Sequence, residues 1–210
     1  MVVRMESFRF DLDAGALCLD FANTAEWHAS AQPTERLNDI SDLIAWGVAT
    51  GVLYGELGQA SAAWAESRPE AAQVAFEWAL WLREVVYRLF ANLAQGKAGD
   101  EEELSRLNDV LSEAMSKAII VQTAAGYVWA WPEDLPGPAL VTWSVARSAA
   151  ELLTSEKLGR VRQCADDRGC GYLFIDTSRN RSRRWCSMKS CGNRAKAKRH
   201  YKKLSVESGE

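Results

Sequence analysis

Four cysteines near the end of the chain have the residue type and spacing of a metal site. They form two pairs, Cys164 with Cys170 and Cys186 with Cys191. Two thiol pairs joined by a hairpin-length segment can supply the four sulfur ligands of a tetrahedral zinc ion. We therefore predict one Zn²⁺ per chain, in a closed structural site without a catalytic water. A redox disulfide pair and unligated thiols are the alternatives. The fifth cysteine, Cys18, is predicted to be a small buried apolar residue.

The charge of the chain is strongly asymmetric. Residues 157–210 contain 15 Lys and Arg against 5 Asp and Glu, whereas residues 1–156 contain 10 against 23. A small metal-stapled module with this much positive charge most often binds a polyanion, and nucleic acid is the first candidate. The predicted nucleic-acid contacts are Arg179, Arg181, Arg183, Arg184, Arg194, Lys196, Lys198, Arg199, Lys202 and Lys203. Charge alone does not separate the two nucleic acids, so DNA is the expected partner and RNA the alternative.

Three short elements are predicted to position the cysteines. Residues 172–176 have the pattern of a strand, residues 183–186 that of its return strand, and residues 191–204 that of a helix. Glycines beside Cys170 can adopt the positive φ that folds backbone around a metal. The predicted order is a knuckle, a β-hairpin and a helix with a ligand at its N-terminus, which is a treble-clef-like module.

The upstream residues predict a mainly helical domain. Helical spacing begins at Ser41, near Glu56, after Pro69, at Asp100 and near Leu140, and residues 119–123 and 127–131 predict one small β-hairpin. After Pro69 an apolar stripe is predicted to face the core: Ala71, Val74, Trp78, Trp81, Val85, Leu89 and Leu93. We predict a mainly α fold in residues 1–156 and the zinc module in residues 157–210. The helical domain is expected to sense a signal or to form a homodimer.

Polar residues cluster early in the chain. Asp20, Asn23 and Arg36 could line a pocket for a small polar effector, whereas helix capping and loop solvation explain the same residues more simply. The sequence contains no Ser–His–Asp set, phosphate-binding loop or carboxylate–histidine metal motif, so we expect a protein that is not an enzyme. It also contains no secretory signal and no long apolar run, so we expect a cytoplasmic protein without a membrane partner.

The zinc module resembles a known family. Cys191-Gly192-Asn193-Arg194 spells the motif of the CGNR zinc finger, and the residues around the other three cysteines are similar to that family over about residues 158–204. Upstream, Leu19-Asp20-Phe21-x-Asn23-Thr24 resembles the start of the ABATE domain that usually precedes this finger. The resemblance implies a bacterial transcription regulator associated with stress, whose finger binds DNA.

Each residue of the CGNR motif has an expected role. Cys191 would be the fourth zinc ligand, and Gly192 would leave room for backbone beside the metal. Asn193 would cap the helix or hydrogen-bond a sulfur. Arg194 would either reach a phosphate or brace the carboxylate of Asp176.

Overall fold

The structure, a computed structural model, is described over residues 10–132, 135 and 137–207, apart from the side chains of residues 202–207. The helices are α1 (Leu17–Ala22), α2 (Ile40–Ala49), α3 (Leu57–Ser67), α4 (Pro69–Ala94), α5 (Glu101–Lys117), α6 (Gly137–Leu153) and α7 (Asn193–Glu207). Three antiparallel strand pairs are present: β1 (Ala25–Glu26) with β2 (Thr34–Glu35), β3 (Ile119–Thr123) with β4 (Gly126–Ala130), and β5 (Val161–Gln163) with β6 (Leu173–Ile175). The predicted fold class is confirmed. None of the described helices is both long and apolar enough to cross a membrane.

Local sequence explains where the helices begin. Asp39 and Asp100 are the N-caps of α2 and α5, and each carboxylate accepts two backbone N–H groups of the first turn. Pro69 occupies the first position of α4, where its missing N–H is not needed. Glu103, three residues after the Asp100 cap, receives the Arg88 guanidinium in a bidentate pair at 2.6 and 3.1 Å.

The prediction for the buried face of α4 was wrong in its first half. Val74 is 66% exposed and Trp78 is 42% exposed. The buried residues there are Ala72, Phe76 and Ala79. Apolar side chains occur on more than one side of this helix, so periodicity alone could not select the side that α5 and α6 cover. The misassigned residues line an open groove, which is described below.

The strand pairing of the zinc module also differs from the prediction. β6 pairs with β5, in the register Val161 with Ile175 and Gln163 with Leu173. Residues 183–186 are not a strand. They make one backbone–backbone hydrogen bond, in which the Ala165 N–H donates to the Arg184 carbonyl at 2.8 Å. β5 occupies one edge of β6, and the backbone groups of Leu173 and Ile175 bond to the Asn23 side chain and the Ala14 carbonyl instead of to a second strand. The hairpin therefore encloses the Cys164–Cys170 knuckle instead of following it.

The apolar core is continuous between the helices and the zinc module. Val161, Leu173 and Ile175 from the β5–β6 hairpin are buried in the same cluster as Phe21 of α1 and Leu82 of α4. The predicted boundary between residues 156 and 157 lies between α6 and β5. The division into two domains stays a prediction, but the zinc module is stabilised in part by burial against the helices.

Candidate metal centre

The four predicted ligands converge. The sulfur atoms of Cys164, Cys170, Cys186 and Cys191 all lie within 4.8 Å of one another. Two of the separations are 3.7 Å, from Cys170 to Cys186, and 3.6 Å, from Cys186 to Cys191. Four sulfurs at 2.3 Å from a tetrahedral zinc ion would be about 3.8 Å apart, so the residues present fit one Zn²⁺. All five cysteines are free thiols, which leaves the redox disulfide alternative without support.

The electrostatics of the cluster favour a cation at its centre. The Cys170 thiol donates to Cys164, and this hydrogen bond together with the negative charge of a Cys164 thiolate raises the pKa of Cys170 to about 12. The same hydrogen bond, together with one from Cys186, lowers the pKa of Cys164 to about 2. Ionisation of one thiol in this cluster thus makes ionisation of the next thiol less favourable. A divalent cation offsets the repulsion and allows all four ligands to ionise.

Close approach of an N-terminal loop explains the two glycines of the knuckle. Gly169 and Gly171 have φ of +90° and +68°. A Cβ atom on Gly169 would lie 2.7 Å from the backbone of Ser30, and one on Gly171 would lie 2.6 Å from the backbone nitrogen of Ala29. The knuckle is therefore folded against the loop between β1 and β2, and this packing requires glycine at both positions.

Substituting Gly171 tests this packing. We expect Gly171→Ala to lower the free energy of unfolding by about 2–4 kcal/mol, because it adds a steric clash to a positive φ. Gly55→Ala is the matched control, since Gly55 also has a positive φ of +56° but has open space around it. Urea unfolding should show only about 1 kcal/mol for the control. Equal losses in the two variants would contradict the close packing.

The CGNR motif has mainly local structural contacts. Arg194 donates to Cys191 Sγ at 2.9 Å and pairs with Asp166 at 3.2 Å. The expected bracing of a carboxylate is present, but its acceptor is Asp166 and not Asp176. Asn193 donates to the carbonyl of Lys189 at 3.3 Å, closing the wide turn before α7. The motif thus holds the fourth ligand at the beginning of the helix.

Asp176 has a different role from the expected one. It is fully buried, and its carboxylate accepts the backbone N–H groups of Ser178 and Arg183 at 2.8 and 3.0 Å. Burial raises the pKa of Asp176, whereas these hydrogen bonds and the positive charge of Arg162 lower it. The lowering effects are together the larger, so the pKa lies below its usual value. The carboxylate fixes the loop that carries Cys186 toward the cluster.

Comparison with known families identifies both parts of the chain. The family model named ABATE, described as "Putative stress-induced transcription regulator", matches residues 15–156. The chain belongs to the ABATE family. The CGNR zinc finger model matches residues 160–203 and follows the ABATE region in the predicted order. No curated protein matches the sequence. The matched families are of the regulator and zinc-finger types, and neither is an enzyme family.

A side-chain clamp connects the ABATE region to the finger. The Asn23 amide donates to the Leu173 carbonyl at 2.8 Å and accepts the Leu173 N–H at 2.9 Å, and both groups are buried. A second connection runs from α4, where the Tyr87 hydroxyl donates to the Gly171 carbonyl at 3.2 Å. His28 stacks on Tyr87 with ring centroids 3.5 Å apart. The zinc module is thus held by directional bonds as well as by apolar burial.

The residues of the predicted effector pocket line a cavity, and all three have structural partners. Asp20, Asn23 and Arg36 line a space of about 230 Å³ that also contacts three of the zinc cysteines. Arg36 pairs with Glu26 at 2.6 Å, Asn23 is occupied by the clamp, and Asp20 accepts the backbone N–H of Ala14 at 3.0 Å. Burial raises the pKa of Asp20 to about 6. The part of the prediction that concerns an effector at this position stays a prediction.

Some of the predicted nucleic-acid residues have structural partners within the protein, and others have no ion pair among the described residues. Arg183 donates to the carbonyls of Trp185 and Cys186 and lies 4.3 Å above the Phe174 ring, and Lys198 pairs with Asp167. Lys202 and Lys203 belong to α7, but their side chains lie outside the described residues. Five of the predicted residues are exposed and have no ion pair among the described residues: Arg179, Arg181, Arg184, Lys196 and Arg199.

A groove between the knuckle and α7 gathers cations from both elements. Its volume is about 660 Å³, and Arg168, Arg184, Arg194, Lys198 and Arg199 line it. Sequence reasoning missed Arg168, because the charge count treated the finger as two surfaces, the hairpin and the helix. Asp166, the carboxylate that holds both Arg168 and Arg194, was also missed. The only sequence signal was its position inside the C-x5-C knuckle.

Proposed function

We propose that this ABATE protein is a zinc-dependent regulator that binds nucleic acid through its C-terminal finger, with DNA as the partner. The observation that carries the proposal is the groove between the knuckle and α7, where five cations meet. A concave site with an excess of positive charge attracts polyanions more strongly than the same charges spread over a convex surface. The family description adds support, since transcription regulators act on nucleic acid.

The cations of the groove suit a phosphate backbone. Asp166 and Asp167 lie in the same groove, but each already pairs with an arginine or lysine, so the cations outnumber the carboxylates. Arg184 and Arg199 have no ion pair among the described residues and are exposed. These two side chains are the best placed to neutralise phosphates, and each contact would release a counterion.

An aromatic residue in the groove provides a surface for a base. Trp185 lines the groove, and the guanidinium of Arg184 lies 5.1 Å from its ring centre. Its indole N–H is buried and has no hydrogen-bond partner among the described residues. Trp185 is half-buried, so a base would have to stack on the part of the ring that stays accessible. Such stacking would favour single-stranded or distorted nucleic acid, whereas an arginine that reads a guanine edge would favour duplex DNA.

In this proposal the acidic ABATE region controls the finger. Residues 1–156 carry 13 more acidic than basic side chains and repel a polyanion. The clamp at Leu173 and the bond to Gly171 would transmit any shift of α1 or α4 to β6 and to the knuckle that carries Cys164 and Cys170. The ABATE region would therefore sense a signal, such as a small effector or homodimer formation. We also propose that the protein works in the cytoplasm and has no enzymatic activity.

Salt-dependent binding tests the proposal on the full chain. Arg184→Gln with Arg199→Gln should weaken binding to duplex DNA and reduce the slope of log affinity against log salt by about two, since each phosphate contact contributes roughly 0.9. Lys97→Gln with Lys117→Gln is the charge-matched control on the ABATE region and should leave the slope unchanged. Fluorescence anisotropy with labelled duplexes provides both measurements.

The same titrations distinguish the remaining interpretations. Tighter binding of single-stranded RNA than of duplex DNA would favour the RNA alternative. An equal effect of the control pair would show that net charge, and not the groove, determines binding. A zinc-loaded protein that binds neither nucleic acid at about 50 mM salt would contradict the proposal, because electrostatic binding is strongest at low salt. The finger would then be a structural or protein-interaction element.

A further inference from the structure

The misassigned stripe of α4 lines a second groove, far in sequence from the zinc cysteines. Its volume is about 620 Å³, and residues from α3, α4, α5 and α6 contribute to it. The lining includes four of the nine tryptophans of the chain: Trp64, Trp78, Trp81 and Trp143. Grooves of this size and apolar character accommodate small organic molecules.

The aromatic side chains of the groove differ in how far they are buried. The rings of Trp78 and Trp81 stack with centroids 4.4 Å apart and an interplanar angle of 20°. Trp143 is 5% exposed, whereas Trp78 is 42% exposed. The lining thus includes both an almost fully buried aromatic side chain and partly open ones. Indole faces carry negative electrostatic potential and attract cations more strongly than other aromatic faces do.

Two carboxylates complete the lining. Glu77 and Glu113 belong to the groove, and none of the described lysines, arginines or histidines lines it. Glu77 receives one hydrogen bond, from the Gln73 amide at 2.8 Å, and neither carboxylate has an ion pair in the part of the chain that the structure describes. An apolar surface with two uncompensated negative charges attracts positive charge and opposes anions.

We propose that this groove is a binding site for a lipophilic organic cation, a molecule with aromatic or alkyl groups around a quaternary or delocalised positive charge. The tryptophan faces would pack against its apolar groups, and the indole rings and both carboxylates would stabilise its charge. A neutral ligand would shield the carboxylates from water without pairing them, and an anion would be repelled. This inference concerns binding alone and does not depend on nucleic-acid recognition by the finger.

A pair of probes with the same shape and opposite charge tests the proposal. Tetraphenylphosphonium and tetraphenylborate present similar phenyl surfaces, so isothermal titration calorimetry in sodium buffer isolates the effect of charge. We expect one tetraphenylphosphonium to bind per chain, about tenfold or more tighter than tetraphenylborate. Binding should also quench tryptophan fluorescence. Equal affinity for the two ions would overturn the proposal, and so would failure of tetraphenylphosphonium to bind.

Variants locate the binding in the groove. Glu77→Gln with Glu113→Gln should weaken tetraphenylphosphonium binding about tenfold. Glu66→Gln with Glu101→Gln removes the same charge from exposed positions outside the groove and should change the affinity little. Trp78→Leu should also weaken binding, and its partial exposure makes misfolding a minor concern, which a thermal melt checks. Unchanged affinity in Trp78→Leu, or equal losses in the two double variants, would place the ligand elsewhere and overturn the assignment.

Discussion

Cys191→Ser is expected to release the zinc ion and to destabilise the whole chain. Structural zinc contributes on the order of 10 kcal/mol to the folding of small fingers, and serine is a poor substitute for a thiolate ligand. Because Leu173 and Ile175 belong to the shared core, loss of the module would also expose part of α1 and α4. We expect the free energy of unfolding to fall by about 5 kcal/mol or more, which lowers the Tm by roughly 10–20 °C.

Metal analysis and denaturation together test this prediction. Wild-type protein purified without added metal should contain one zinc per chain, and Cys191→Ser should contain little. Cys18→Ala is the control, because Cys18 is fully buried in α1 and is not part of the cluster. That variant should retain its zinc and lose only about 1–2 kcal/mol from the missing side chain. Full zinc content in Cys191→Ser would show that the sulfur cluster is not the metal site.

The metal ligands could be predicted from sequence because thiol chemistry restricts the choice. Four cysteines within 28 residues have few functions besides metal binding, and the structure brings their sulfurs together as that chemistry requires. The beginnings of α4 and α5 were equally accessible, since Pro69 and Asp100 act through neighbouring backbone groups. Local rules suffice where the interacting groups are only a few residues apart.

Long-range packing could not be predicted in the same way. The choice between the two apolar sides of α4 depends on where α5 and α6 pack, and the sequence of α4 does not indicate that position. Pairing of β6 with β5 instead of residues 183–186 depends on the buried loop around Asp176, whose carboxylate organises backbone seven residues away. Both errors concern partners selected by the tertiary structure. Residue type alone made both alternatives plausible.

Asn23 illustrates the same limit and leads to the second large effect. Sequence reasoning placed it in an effector pocket, but its amide binds Leu173 across 150 residues of chain. The Asn23 amide takes the place of a strand partner for Leu173, because its oxygen accepts the Leu173 N–H and its nitrogen donates to the Leu173 carbonyl. Since both backbone groups are buried, they have no access to water if the amide is removed.

We expect Asn23→Ala to lower the free energy of unfolding by about 2–5 kcal/mol, since two buried backbone groups would each lose a partner at about 1–3 kcal/mol. Asn38→Ala is the matched control: Asn38 is exposed and its amide binds only the Asp42 carboxylate, so its loss should be below about 1 kcal/mol. Urea unfolding measures both variants.

Native-state hydrogen exchange at the Leu173 amide adds a local test, because Asn23→Ala should accelerate it while leaving the α5 amides protected. Unchanged stability and exchange in Asn23→Ala would show that the Asn23 clamp does not help to hold the finger against the ABATE region. The coupling proposed between the two would then lack its principal contact.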